Sequence, residues 1–543
     1  MSEQSPLILA LLILATLSIG CTPEEPKWQF VEITQQAGLG EFRHTNGAEG
    51  DWYLPETFGA GGAFLDYNED DFIDLALVGG ATWTNNSVPA LQLYQGFGNG
   101  TFEDMTEEMN LSSITGYGMG VIAGDIDLDG DKDLYLTTLE KNFLLINDGN
   151  GFRDGTLEAG LDSPSEWNVA ATFLDANRDG WLDLYVTGYV YWTPETDLFC
   201  TRDGTQKRYC TPELYQGRPG RFYENRGDGT FVDRTKETGL AESGKTLGAI
   251  TIDANRDQWP DIILANDTDP DQYFLNTGDG SFQEVGLSTG MALDSRGRAR
   301  AGMGIDAGVV DSTGEPTLFI GHFEDQMNGV YRHSRLGFFE ERGAASGIGP
   351  ASLPALTFGM VLFDAELDGD LDLVAANGHI NPQANERSDI ASYRQPMQFF
   401  LNNGNGTFIE KAVDLGLSLP MVGRGALTAD IDQDGDIDLL ITENNGPVHL
   451  FRNDIHSNVN FLRIKLLGAA VDATIVVQVM DNKQFRRIRA GHSYASQSES
   501  TVTFGLGTRQ FADTITVYWP SGSITQKSHV PANQILHLQE TDP

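Results

Sequence analysis

Gly124-Asp125-Ile126-Asp127-Leu128-Asp129-Gly130-Asp131-Lys132-Asp133-Leu134-Tyr135 carries the first decisive pattern in this chain. Asp125, Asp127, Asp129 and Asp133 stand at positions 1, 3, 5 and 9 of a nine-residue loop, so alternate side chains point at one centre. Carboxylates packed that closely repel one another unless a cation sits between them. A hard ion with about six to eight oxygen ligands, Ca²⁺ above all, suits such a set. The position 7 carbonyl, here Asp131, adds a backbone oxygen, and Gly130 at position 6 permits the sharp turn. An EF-hand would need a Glu at position 12 and flanking helices. Here position 12 is Leu136, and both flanks read as short strands, which makes the loop a calcium hairpin.

The spacing recurs at Asp66, Asn68, Asp70, Asp74; at Asp175, Asn177, Asp179, Asp183; and at Asp253, Asn255, Asp257, Asp261. It appears again at Asp364, Glu366, Asp368, Asp372 and at Asp430, Asp432, Asp434, Asp438, with Asp370 and Asp436 at position 7. A decayed copy keeps Asp311 and Gly314 but has Val309 and Thr317 at two ligand positions. Six of the seven loops are therefore chemically competent, and up to six Ca²⁺ sites are expected. Position 6 is Gly in four of the six, whereas Asp71 and Gln258 hold it in the first and fourth; the Asp253 loop is the weakest by this criterion.

Between the loops a second motif recurs, as in Asn147-Asp148-Gly149-Asn150-Gly151-Phe152 and Asn225-Arg226-Gly227-Asp228-Gly229-Thr230-Phe231. Each copy reads as strand, Gly-rich hairpin turn, strand. One unit is then four short strands, with a period near 60 residues from the first-ligand positions. Seven such units predict an all-β, seven-bladed β-propeller, since radial repetition hides edges that isolated sheets would expose. The last unit lacks a fourth strand, and Trp28 to Thr34 looks like an unpartnered one, so this segment is expected to complete the seventh blade.

Charge divides the chain. Lys plus Arg is 35 and Asp plus Glu 78, a net −43, which argues against a nucleic-acid partner. From Asn460 onward eight Lys/Arg face six Asp/Glu, so the rest carries −45 and the tail reads as a separate, near-neutral β-domain. Leu7 to Ile19 is an apolar or small-residue run too short to span a bilayer, ending at Gly20-Cys21. Residues 1–21 thus resemble a lipoprotein-type signal peptide with Cys21 as the lipidated residue, and 22–27 form a tether. In an exported chain Cys200 and Cys210 are expected to pair as a disulfide.

The repeats resemble FG-GAP/VCBS repeats, as in the integrin-type calcium propeller, over residues 28–457. Within 460–540, the run Arg489 to Ser498, Phe504-Gly505-Leu506-Gly507 and Val517 to Gly522 resemble the ASPIC/UnbV domain. Together these features are similar to the cartilage acidic protein family in its bacterial form. The link between Leu467 and Thr474 is shorter than that family's usual one.

No His pair stands at metal-ligand spacing, so zinc has little support. Asn377 to Asn381 reads either as a turn with a solvated imidazole, His379, or as a functional patch. His492, Tyr494 and Ser496 tempt a hydrolase reading, but no Gly-x-Ser-x-Gly elbow accompanies them. The insertion Gln383 to Gln395 and the Cys200 to Cys210 loop are candidates for binding specificity. The expected function is a non-catalytic, calcium-binding propeller of the periplasm, outer membrane or cell surface, held to the membrane by lipid alone and recognising a protein or glycan. The alternative is a calcium-dependent polysaccharide lyase or hydrolase.

Overall fold

The computed structural model describes residues 28–84, 88–386, 392–455 and 458–540. The signal segment, Cys21, the tether and residues 387–391 of the Gln383 to Gln395 insertion lie outside the described residues. No helix among the described residues is long and apolar enough to cross a membrane.

The molecule is a β-propeller carrying a β-sandwich. Seven four-stranded antiparallel sheets follow one another: blade 1 from Gly62 to Asp104, blade 2 from Gly118 to Asp154, blade 3 from Ala171 to Asp233 and blade 4 from Thr246 to Glu284. Blade 5 runs from Gly302 to Glu341, blade 6 from Thr357 to Glu410, and blade 7 from Gly423 to Ile455. Trp28–Glu32 is the fourth strand of blade 7, pairing antiparallel with Val448–Ile455 from Trp28↔Ile455 to Glu32↔Phe451. The first strands touch in a closed cycle, each blade on the next and blade 7 on blade 1. The ring is therefore sealed by hydrogen bonds between its two chain-distant ends.

Burial explains the strand sequences. First and second strands are covered on both faces by neighbouring blades, so runs such as Asp133–Thr138 and Asp261–Asn266 are buried throughout. In blades 1 to 6 the fourth strands bury only their first residue, the Phe of the Gly-turn motif. That Phe reaches the preceding blade: Phe282 packs on Phe222 at 6.1 Å and Phe408 on Phe319 at 5.9 Å. Each such ring contributes about 2–3 kcal/mol of burial.

The tail forms a three-stranded sheet, with Asn460–Leu467 between Val502–Gly507 and Ile535–Gln539, and a four-stranded sheet centred on Thr474–Val479 and Phe511–Tyr518. Both enclose a core around Phe504, Ile515 and Trp519. It is not a separate globule, however. Residues 489–499, between its strands, enter the centre of the ring and touch the first strand of every blade.

The contacts are backbone pairings as well as packing. Ala490 accepts from Phe173 N (3.1 Å), Ser493 exchanges both bonds with Ile305 (2.9 and 2.8 Å), and Ala495 accepts from Val121 N (3.3 Å). Gln497 bonds the backbone of Gly62 and Phe64, while its side chain takes both Ala123 N (3.0 Å) and Ala123 O (3.2 Å). Arg489 donates to Thr251 O in blade 4, Glu499 N to Thr428 O in blade 7, and Tyr494 meets Phe358 of blade 6 edge-on at 5.0 Å. A propeller's first strands would otherwise face an open channel with unpaired groups. Here the tail fills it.

Candidate metal centres

Each acidic loop joins the first and second strands of a blade, so all lie on one face of the ring. Two of them bring their carboxylates together. Ligand oxygens of Asp125, Asp127 and Asp129 lie within 4.8 Å of one another, as do those of Asp430, Asp432 and Asp434. Asp125 Oδ1, Asp127 Oδ1, Asp430 Oδ1 and Asp432 Oδ1 are buried without a hydrogen-bond partner. Buried carboxylate oxygens with no donor are costly, about 1–3 kcal/mol or more each. A hard divalent cation with oxygen coordination supplies what these oxygens lack, and the donor set fits one. Burial raises Asp125 and Asp127 above the ordinary carboxylate range and takes Asp430 up to about 7 and Asp432 up to about 6.

The other four competent loops are arranged differently. Asn68, Asn177 and Asn255 turn their amide nitrogens onto the position 5 carboxylates Asp70, Asp179 and Asp257 at 3.0, 2.9 and 2.7 Å. In blade 6, burial takes Glu366 up to about 7, and its Oε2 is buried without a hydrogen-bond partner. Asp370 lies beside Asp368, its N–H bonded to the Asp368 carboxylate. Position 4 is left-handed in all six loops, held by Glu69, Leu128, Arg178, Arg256, Leu367 and Gln433. That conformation was expected only at position 6, where Asp71 (φ 65°) and Gln258 (φ 73°) do adopt it.

Position 9 is a brace. Asp133 Oδ2 accepts from Ile126 N (3.3 Å) within its loop, and Oδ1 accepts from Asn147 N (2.9 Å) on the third strand. Asp74, Asp183, Asp261, Asp372 and Asp438 repeat both bonds. All are buried, which takes Asp74 and Asp261 up to about 8 and Asp133 up to about 7.

The third-strand Asn was not singled out from sequence, yet it is what ties loop to loop. Asn147 donates to Tyr67 O of blade 1, Asn225 to Ile126 O of blade 2, and Asn276 to Ala176 O of blade 3. Asn402 and Asn453 reach Val310 O and Ala365 O in the same way. Each bond crosses one blade boundary. In blade 1 the position is Gly96, and Gly100 N takes Ile431 O instead; in blade 5 it is His333, whose Nδ1 is unpartnered. The recurring Asn-x-Gly-x-Gly spelling was the available signal. Asn225→Ala would strand Ile126 O and Leu182 O, both now its acceptors. The expected loss is about 2–4 kcal/mol, read as a shift in urea midpoint.

The tail covers part of this face and brings cations to it. Arg463 meets Asp430 Oδ2 at 3.0 Å and Glu499 at 2.5 Å, leaving Asp430 Oδ1 free toward the loop centre. Lys465 meets Asp66 at 3.0 Å and Asp71 at 2.6 Å, and Gly505 N donates to Asp364 Oδ2 at 3.0 Å. The charge contrast read from sequence is thus a docking contrast.

Other candidates resolve into structural roles. His379 is buried rather than solvated: its Nδ1 accepts from Asn381 N (2.8 Å) and its Nε2 lies 3.2 Å from Glu324. The solvated-imidazole reading fails because Phe323 covers the ring. His492, Tyr494 and Ser496 all belong to the segment inside the ring. Cys200 and Cys210 are joined, with Cα atoms 5.3 Å apart, on the face opposite the acidic loops.

Fold and loops together define a β-propeller of acidic-hairpin repeats with an appended sandwich. The chain carries FG-GAP-like repeats at residues 66–136 and 127–186 and an ASPIC and UnbV domain at 467–543. It is similar to cartilage acidic protein 1 of Homo sapiens, 24% identical over 443 residues, covering 76% of this chain and 61% of that protein. The protein of the same name from Mus musculus is 23% identical, covering 79% of this chain and 66% of its own length. The chain thus spans less than two thirds of the curated relatives it matches. Among solved structures, YCF48 bound to D1 peptide aligns with a TM-score of 0.40 and 11% identity, over 78% of this chain and 94% of that one.

Proposed function

We propose that this protein is an exported, calcium-loaded propeller that acts by recognition rather than catalysis. The observation that carries the reading is the pair of loops in blades 2 and 7, where three carboxylates converge with buried, unpartnered oxygens. Native mass spectrometry and calorimetric titration with Ca²⁺ test it. Bound calcium is expected, with Asp127→Asn and Asp432→Asn each removing one ion. No bound ion would end the reading.

Arg463 serves the blade 7 site by holding one Asp430 oxygen and leaving the other for the ion. The Asn-containing loops bind more weakly, since their carboxylates already accept amide protons.

Recognition is assigned to the opposite face. There the 10-residue-separated disulfide anchors a loop that exposes Leu198, Phe199 and Leu214 beside exposed Tyr191. Its base is fixed by Lys207–Asp197 (2.7 Å), Trp192 Nε1–Asp197 (2.6 Å) and Tyr209–Glu56 (2.9 Å). Exposed large apolar groups on an anchored loop suit a protein or glycan partner. Reduction is expected to open this loop first, so trypsin cleaves after Arg202 sooner in reductant; unchanged cleavage would mean the disulfide does not hold it. Glycan and protein arrays, probed with and without Ca²⁺, identify the partner class. The disulfide and the Leu7 to Cys21 segment support export with a lipid anchor, and palmitate labelling lost in Cys21→Ser tests that.

A further inference from the structure

The decayed loop of blade 5 borders a cleft between the propeller and the tail. A cavity of about 480 Å³ lies between blades 4 to 7 and the tail, and a second of about 260 Å³ adjoins it, sharing Val309, Lys483 and Arg486. Val309 and Gly314 of the decayed copy line the larger cavity, Val309 standing where the six competent loops carry their first Asp. The volume is that of a small-molecule site, and domain junctions are where such sites occur.

Its lining is unlike the rest of the chain. Arg256, Lys483, Arg486, Arg487 and Arg489 line it against Asp253, Asp306, Asp364 and Glu499, whereas the chain as a whole has 35 basic and 78 acidic residues. Asp253 and Asp364 are first ligands of acidic loops, so an ion in either loop makes the cleft more positive still. Leu362, Leu371, Phe485 and Val502 give it an apolar wall. At the inner end stands His492, whose ring is 10% exposed. Its Nε2 accepts from Ser498 N (3.1 Å), which puts the proton on Nδ1, and Nδ1 has no hydrogen-bond partner; Asp306 Oδ2 is 3.9 Å away. This is a buried donor in the cavity lining with no hydrogen-bond acceptor.

Arg256, Arg487 and Arg489 are engaged by Glu315, Asp472 and Asp306. We propose that this cleft is a binding site for a small organic anion with an apolar body, its acid group held by Lys483 and Arg486 and its body against Phe485 and Leu362. The site does not require loaded loops, but loading strengthens it.

Two dyes of the same ring skeleton test this. 8-Anilino-1-naphthalenesulfonate carries an acid group and N-phenyl-1-naphthylamine does not. With the full chain in Ca²⁺, the sulfonate is expected to bind one equivalent at least tenfold more tightly than the neutral dye. Lys483→Glu, an exposed change at the mouth, is expected to weaken the sulfonate at least fivefold, with the neutral dye and the melting temperature unchanged. Phe485→Ala is expected to weaken both. Equal affinities for the two dyes, or a sulfonate affinity indifferent to Lys483→Glu, would overturn the proposal. The same titration in chelator keeps it separate from calcium binding: preference for the sulfonate survives there, reduced, even if the loops hold no ion.

Discussion

Tyr494→Ala is expected to destabilise the whole chain by about 3–5 kcal/mol, the range for deleting a fully buried aromatic ring. Tyr494 is fully buried at the centre of the ring, among Phe58, Trp167, Tyr189, Leu356 and Phe358 from several blades. Its hydroxyl has no hydrogen-bond partner, so the loss is one of packing, and Tyr494→Phe should be nearly neutral or stabilising. Since residues 489–499 bond to first strands around the ring, the cavity is not confined to one blade. Removing residues 460–540 should be worse, exposing the backbone groups of Gly62, Val121, Phe173 and Ile305 that the segment now pairs. Urea unfolding followed by tryptophan fluorescence reads both. A Tyr494→Ala midpoint within experimental error of wild type would show that the segment is a passenger.

The second large effect is a reversal of sign with pH. Burial raises Asp133 and Asp430 from 3.8 to about 7, and Asp74 and Asp261 to about 8. Between these values the ion-free folded chain binds more protons than the unfolded chain, so stability contributed by these groups is complete below about pH 4 and lost as pH rises to about 8. An ion binds the deprotonated form and opposes that loss. In chelator, melting temperature should fall from about pH 5.5 to about pH 8.5; in millimolar calcium it should hold or rise. At tenfold excess over Kd each ion contributes about 1.4 kcal/mol, so two sites give about 3 kcal/mol at the alkaline end. Coincident melting curves at pH 8.5 with and without calcium would remove the ion from the account.

Most of the architecture was legible because its signals are local. The Asp spacing, the Gly-turn motif and the unpartnered strand at Trp28 each lie within a dozen residues, and each names a strand boundary. What was not legible depends on contacts between residues distant in the chain. Nothing near Asn225 says that its amide meets Ile126 across a blade boundary, and nothing near Tyr494 says that it lies beside Phe58. The loops fall between these cases. Their ligand types were readable, but not the local hydrogen bonding: Asn68, Asn177 and Asn255 at position 3 turn their amides onto the position 5 carboxylates, whereas Asp127 and Asp432 leave an oxygen unpartnered. His379 and Ser496 both hydrogen-bond backbone groups, a contact that their letters in the sequence do not distinguish from chemistry.

The segment inside the ring has a consequence for how the protein is made. Ser496 Oγ accepts from Gly62 N across a sequence separation of 434 residues. A growing chain therefore meets its own hub only after nearly all of it has left the ribosome or the translocation pore. Until then, sheets that have already paired surround a wet, unsatisfied hole, and long-range closure of this kind is slow and exposed to misassembly. Maturation should thus be gated by the arrival of residues 489–499, and products that stop short of them should be the ones that chaperones and proteases intercept.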